Sequence, residues 1–84
     1  MNISTREQRL SELNNILIMN KEDVNLLDER INDILESFDT LFIKGKQKEY
    51  LQDELLKCML KKYRIEKKII PSIIVKITAI EKGF

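Results

Sequence analysis

The 84-residue sequence contains no histidine, no tryptophan, one cysteine, one proline and two glycines. Each scarcity closes a class of chemistry. Without histidine there is neither an imidazole base nor an imidazole metal ligand. A single cysteine cannot make an intrachain disulfide or a zinc knuckle, and two glycines cannot build a phosphate-cradling loop. That cysteine, Cys58, lies among Leu55, Leu56 and Met59, where a free thiol behaves as a small hydrophobe. An intermolecular disulfide is the minor alternative, since such bonds are rare in reducing compartments. The expectation is a chain that is not an enzyme and carries no cofactor and no metal.

A long hydrophobic run is also missing. The first twenty residues carry Arg6, Glu7, Arg9 and Glu12 and no apolar block of signal-peptide length. The most apolar stretch, Ile69 to Ile80, is interrupted by Pro71, Ser72 and Lys76, whereas a spanning helix needs about 20 predominantly apolar residues. A soluble, cytoplasmic protein is expected. A chain this short buries only about 60% of the surface its unfolded form exposes, so it forms one small domain over residues 1–84.

What the sequence does hold is helical periodicity. Ser4-Thr5-Arg6-Glu7 has the S-x-x-E form of a capping box, and Leu10, Leu13, Ile16 and Leu17 follow at helical spacing. This predicts a first helix from about Thr5 to Met19, with Asn20 ending it or capping the next and Asp23 suiting a new first turn. Val24, Leu27, Ile31, Ile34, Phe38 and Leu41 then alternate in steps of three and four, the seam of a helix lying along another helix. This second helix is expected to stop at Gly45, flanked by Lys44 and Lys46. A third should run from Lys46 to about Lys68. Its core side would be Leu51, Leu55, Leu56, Met59, Tyr63 and Ile70, with Cys58 and Ile69 at the margin and Tyr50 also leaning inward.

The last segment reads two ways. Ile73, Val75, Ile77 and Ala79 alternate as in a strand; Ile73, Ile74, Ile77 and Ile80 share one face of a helix. The helix is preferred, because a lone strand needs a partner and the chain offers none. Pro71 would then fall in the first turn and Gly83 just past the end, with Phe84 behind it. A strand pairing across a dimer is the alternative. The expected fold class is all-α: a long antiparallel helical hairpin with shorter flanking N- and C-terminal helices, completed by oligomerisation.

Charge is unevenly placed. Residues 1–40 hold 9 acids and 4 bases, whereas residues 41–84 hold 5 acids and 11 bases. Glu22, Glu29, Asp33 and Glu36 form an acidic stripe; Lys57, Lys61, Arg64 and Lys68, spaced four, three and four apart, form a basic one. A solvated helix back explains the basic stripe without any function. Its functional reading is an anion-binding face, for an acidic protein first, with nucleic acid or an anionic membrane surface as the weaker alternatives. Lys44-Gly45-Lys46-Gln47-Lys48 lacks the spacing of a Walker loop, and helix-end lysines account for it. The carboxylate pairs Asp28-Glu29 and Asp53-Glu54 fall on polar helical surface and suggest no acid–base work. Leu26, Ile43 and Leu60 lie off the main seams. With the apolar C-terminal segment they exceed what one hairpin covers, and a second copy or another protein would cover them.

The stretch Gly45-Lys46-Gln47-Lys48-Glu49-Tyr50-Leu51-Gln52-Asp53-Glu54-Leu55-Leu56, together with the size and the Lys/Ile/Asn-rich make-up, resembles the small helical regulatory proteins of T4-like bacteriophages, in particular their lysis-inhibition accessory, or antiholin-associated, group. The resemblance implies a non-catalytic protein in the host cytoplasm that binds the cytoplasmic part of a holin and delays pore formation. It carries over no individual residues. The partner-binding candidates are therefore those read from the pattern alone: Lys57, Lys61, Arg64, Lys68, Leu26, Ile43 and Leu60.

Overall fold

The structure, a computed structural model, describes residues 4–40 and 45–83, with backbone alone for 39 and 40. Leu41, Ile43, Lys44 and Phe84, which figure in the expectations above, lie outside the described residues. Helix α1 runs Thr5–Thr40, α2 runs Lys46–Arg64, a π-helical turn covers Ile65–Ile69, and α3 runs Ile70–Glu81. No strand occurs among the described residues. The chain is all-α, and its C-terminal segment takes the helical alternative.

The boundaries differ from the expected ones in two places. Helix α1 is continuous where a break was expected at Asn20. No glycine or proline interrupts it, and the Asn20 side chain turns back to donate a 2.8 Å hydrogen bond to the Ile16 carbonyl, within its own helix. The flanking N-terminal helix therefore does not exist as a separate element. Its start does follow the capping signal: the Glu7 backbone N–H donates to the Ser4 hydroxyl at 3.1 Å. The seam also proves longer than the periodic stretch suggested. Leu10, Leu13, Leu17, Asn20, Val24, Leu27, Ile31, Ile34 and Phe38 are all half-buried or buried, an unbroken three-four alternation that passes through a polar residue. Ile34, 1% exposed, is its most enclosed member.

The second difference is that α2, the π turn and α3 join end to end, so no separate C-terminal helix flanks the third. Gly45 opens this second rod as its N-cap at φ 64 and ψ −134, a conformation open to glycine alone. Pro71 interrupts the rod without ending it. Proline offers no N–H and its ring crowds the carbonyl four residues back, which would disrupt a regular helix interior. Just before it the helix widens, with the Ile70 N–H reaching the Ile65 carbonyl five residues away. The rod ends at Lys82 and at Gly83 with φ 82, whose N–H bonds the Ile80 carbonyl at 3.1 Å.

The widened turn sets the packing. Ile65, Ile73 and Ile77 are all buried. In an unbroken helix at about 100° per residue, Ile73 and Ile77 would stand about 80° and 120° round from Ile65. Absorbing one residue removes about 100°, which returns both to within about 20° of Ile65. The core side of the second rod also differs from the expected one. Leu51, Leu55, Cys58, Ile65, Ile73 and Ile77 are half-buried or buried, whereas Leu56, Met59 and Tyr63 are exposed. Tyr50 and Tyr63, at 66% and 59% exposure, do not lean into the core as expected.

The two rods lie side by side in a body 59 × 24 × 16 Å. Early residues of α1 meet late residues of the second rod: Arg6 contacts Ile80 and Glu81, Asp28 pairs with Lys62, and Arg30 pairs with Glu54.

Two outcomes follow. Ile34→Ala should destabilise by about 2–5 kcal/mol in urea unfolding, whereas the exposed Leu26→Ala should stay within about 0.5 kcal/mol. Deleting Lys67 together with Pro71→Ala should keep the helical circular dichroism and a cooperative melt, because the π turn becomes an ordinary one and the seam stays in phase. Deleting Lys57, inside a regular helix, rotates everything beyond it by about 100° and should abolish that melt.

Candidate protein-binding surfaces

The expected basic residues are all in solvent. Lys57, Lys61 and Arg64 stand on α2 and Lys68 stands in the π turn, each exposed. Leu60 is exposed too, and lines one shallow depression with Lys61 and Arg64. The structure thus brings three of the expected residues into one patch, an apolar side chain beside two cations. Leu26, on α1 between the exposed acids Glu22 and Glu29, is exposed as expected but does not line that depression.

The rods are bridged by charges that the sequence pattern did not single out. Arg30 binds the Glu54 carboxylate through Nε at 2.7 Å and Nη2 at 2.6 Å, both to Oε1. Glu54 Oε2 is buried and accepts no hydrogen bond. Lys62 pairs with Asp28. Asp28 and Glu54 are therefore half-buried helix-bridging groups, not members of a plain polar surface. The hydrogen bond from Arg30 to Glu54 raises the guanidinium above its ordinary pKa, and that from Lys62 to Asp28 raises the ammonium above its own. Both cations reach into solvent, so these pairs set alignment more than stability.

Arg6 makes the longest-range contact in sequence. Its Nε donates to the Ile80 carbonyl at 3.1 Å and its Nη2 to the Glu81 carbonyl at 2.8 Å. The start of α1 thereby places a planar cation on the carbonyl end of the second rod, where the helix dipole favours it. Nothing in local sequence marks this, because the partners are backbone carbonyls more than seventy residues away.

Sequence reasoning also misplaced a second apolar stripe. Leu56, Met59, Leu60 and Tyr63, then Ile74 and Val75, are exposed on the second rod. Leu56, Met59 and Tyr63 were expected on the core side and Leu60 off it; the helical spacing was legible, but spacing alone does not say which side of the helix α1 covers. Among the described residues no group of three or more Cys, Asp or Glu side chains is arranged to hold a metal, and no helix is long and apolar enough to cross a membrane. Comparison with known protein families, with curated proteins and with solved structures finds no match for the chain.

The raised Lys62 contributes stability below the unfolded lysine value and loses it as pH climbs through the higher folded value. The melting-temperature deficit of Lys62→Ala should therefore be constant from about pH 6 to 9 and shrink above about pH 10.5. Arg6→Ala should accelerate amide exchange at Lys82 and Gly83 with little change at Val24. Arg6→Lys should protect less well than wild type, since an ammonium lacks the fork that spans two carbonyls.

Proposed function

We propose that this protein is a non-enzymatic regulator or adaptor that works by binding another protein stoichiometrically through its helical surfaces. One observation carries the reading. The seam between the rods already has its own complement of apolar residues, yet Ile18, Met19, Leu26, Leu56, Met59 and Leu60 stand in solvent. A single exposed leucine needs no explanation, but Leu56, Met59 and Leu60 stand together on one face of α2, and neighbouring exposed apolar side chains mark an interaction surface. On this reading the chain acts as an antiparallel helical hairpin, completed by oligomerisation, in the cytoplasm.

The resemblance to the phage lysis-inhibition group supplies a candidate partner, the cytoplasmic segment of a holin, whose pore formation the protein would delay without chemistry. The depression formed by Leu60, Lys61 and Arg64 suits an acidic segment with an apolar anchor.

A second reading has its own support. Exposed Tyr50 and Tyr63 share a helix with Lys57, Lys61 and Arg64, and aromatic side chains interleaved with cations are what a nucleic-acid surface uses. A third is a structural protein that only self-assembles.

Capture of an immobilised holin cytoplasmic segment by wild type, Lys61→Glu/Arg64→Glu and Leu26→Glu separates these readings. The proposal expects wild type to bind and the double charge reversal to weaken capture at least tenfold. Equal capture by both variants would remove both surfaces from consideration. Binding of DNA or RNA that falls steeply with salt, without holin capture, would put the nucleic-acid reading in its place.

A further inference from the structure

We infer that the acidic outer face of α1, carrying Glu22, Leu26, Glu29 and Asp33, docks on the basic flank of the second rod, Lys57, Lys61, Arg64 and Lys68, of a second copy of this chain. The inference deepens the proposed binding function by naming the occupant of the Leu60 depression, and it rests on that reading only in taking the depression as a protein-binding surface.

Charge and spacing argue for this occupant. The four positions on α1 and the four on the second rod repeat identically, in steps of four, three and four residues. All eight side chains are exposed, and each set spans about 60° of arc and about 16 Å of helix. Steps that read the same in both directions keep the stripes in register whether the helices meet parallel or antiparallel. Three acids then meet three of the bases. Leu26 falls opposite Lys61 or Arg64, the two cations that line the depression with Leu60. An apolar anchor flanked by carboxylates suits that depression, and Leu26 stands between Glu22 and Glu29.

The chain cannot close this contact on itself. Glu22 stands about 160° round α1 from the seam residue Val24, and Glu29 and Asp33 about 160° from Ile31, so the acids point away from the chain's own second rod. The described ion pairs within the chain use Asp28, Arg30, Glu54 and Lys62, none of which belongs to either stripe. The basic stripe stands on the side of its rod, with Lys57 and Arg64 each about 100° round from Cys58 and Ile65 of the seam. With the two faces at different angles to the seam, the contact is heterologous and passes from copy to copy. A formal net charge of +1 leaves little repulsion between whole chains to oppose it.

Sedimentation equilibrium at hundreds of micromolar and low salt tests this, with circular dichroism on each protein. The base-reversed variant is Lys57→Glu/Lys61→Glu/Arg64→Glu; the acid-reversed variant is Glu22→Lys/Glu29→Lys/Asp33→Lys. Wild type should exceed the one-chain mass, and its association should weaken at least tenfold in half-molar salt, which screens exposed charge pairs. Each reversed variant alone should be helical and one chain. Their equimolar mixture, in which the facing charges are again opposite, should recover the wild-type association. Lys21→Glu/Lys48→Glu/Lys82→Glu, which carries the net charge of the base-reversed variant at other exposed positions, should associate like wild type. Should a reversed variant lose helicity, Lys57→Gln/Lys61→Gln/Arg64→Gln should still weaken association at least tenfold. A folded reversed variant that associates like wild type, a mixture that stays at one chain, or loss of association in the Lys21/Lys48/Lys82 variant would overturn the inference. So would a one-chain wild type, and if that protein captures the holin segment the proposed function stands intact. Self-association without holin capture would do the reverse.

Discussion

Everything in this structure depends on one apolar seam between two long rods. With only two layers of side chains meeting along one line, each helix buries about a third of its circumference and leaves the rest to solvent. Among the described residues Ile34 is the one large side chain fully enclosed. Stability is therefore concentrated along the seam. The charge contacts at Arg6, Arg30 and Lys62 act as alignment marks near its end and its middle.

The π turn before Pro71 is the feature through which sequence controls that seam. A proline in a helix interior normally ends the helix or kinks it. Here the helix gives up one residue of phase instead, and two consequences follow from the same shift. The C-terminal isoleucines Ile73 and Ile77 face α1, and Val75 comes into line with Leu56 and Tyr63 on the outside. Core and outer surface are set together, so a change at residues 65–71 would alter both.

Much of this was legible from the sequence. The Ser4-Glu7 cap, the Val24–Phe38 alternation, the start of the second rod at Gly45 and the helical character of the Ile-rich end all follow from local rules. The exposure of Leu26, Leu60 and the basic residues follows from them as well. What escaped has physical causes. Asn20 looked like a boundary because asparagine favours caps, but a side chain that satisfies itself on the Ile16 carbonyl can remain in a helix interior. Leu56, Met59 and Tyr63 were expected inward because apolar residues occupy more than one side of α2, and periodicity does not say which side the other rod covers. The contacts of Arg6, Arg30 and Lys62 join residues far apart in sequence, which periodicity cannot pair. For the surfaces the limit was different: the pattern could name exposed residues but not show that Leu60, Lys61 and Arg64 share one depression.

Two continuous rods pack along this seam, with residue 6 beside residue 80. The most direct test is a pulsed electron-spin distance between labels at Gln8→Cys and Lys82→Cys in a Cys58→Ala background, diluted with unlabelled protein. Packed rods give a single short distance, under about 25 Å. Rods joined end to end, each about 54 Å long, would place the labels about 100 Å apart. A distribution centred beyond about 50 Å, or one without a short component, would contradict the account.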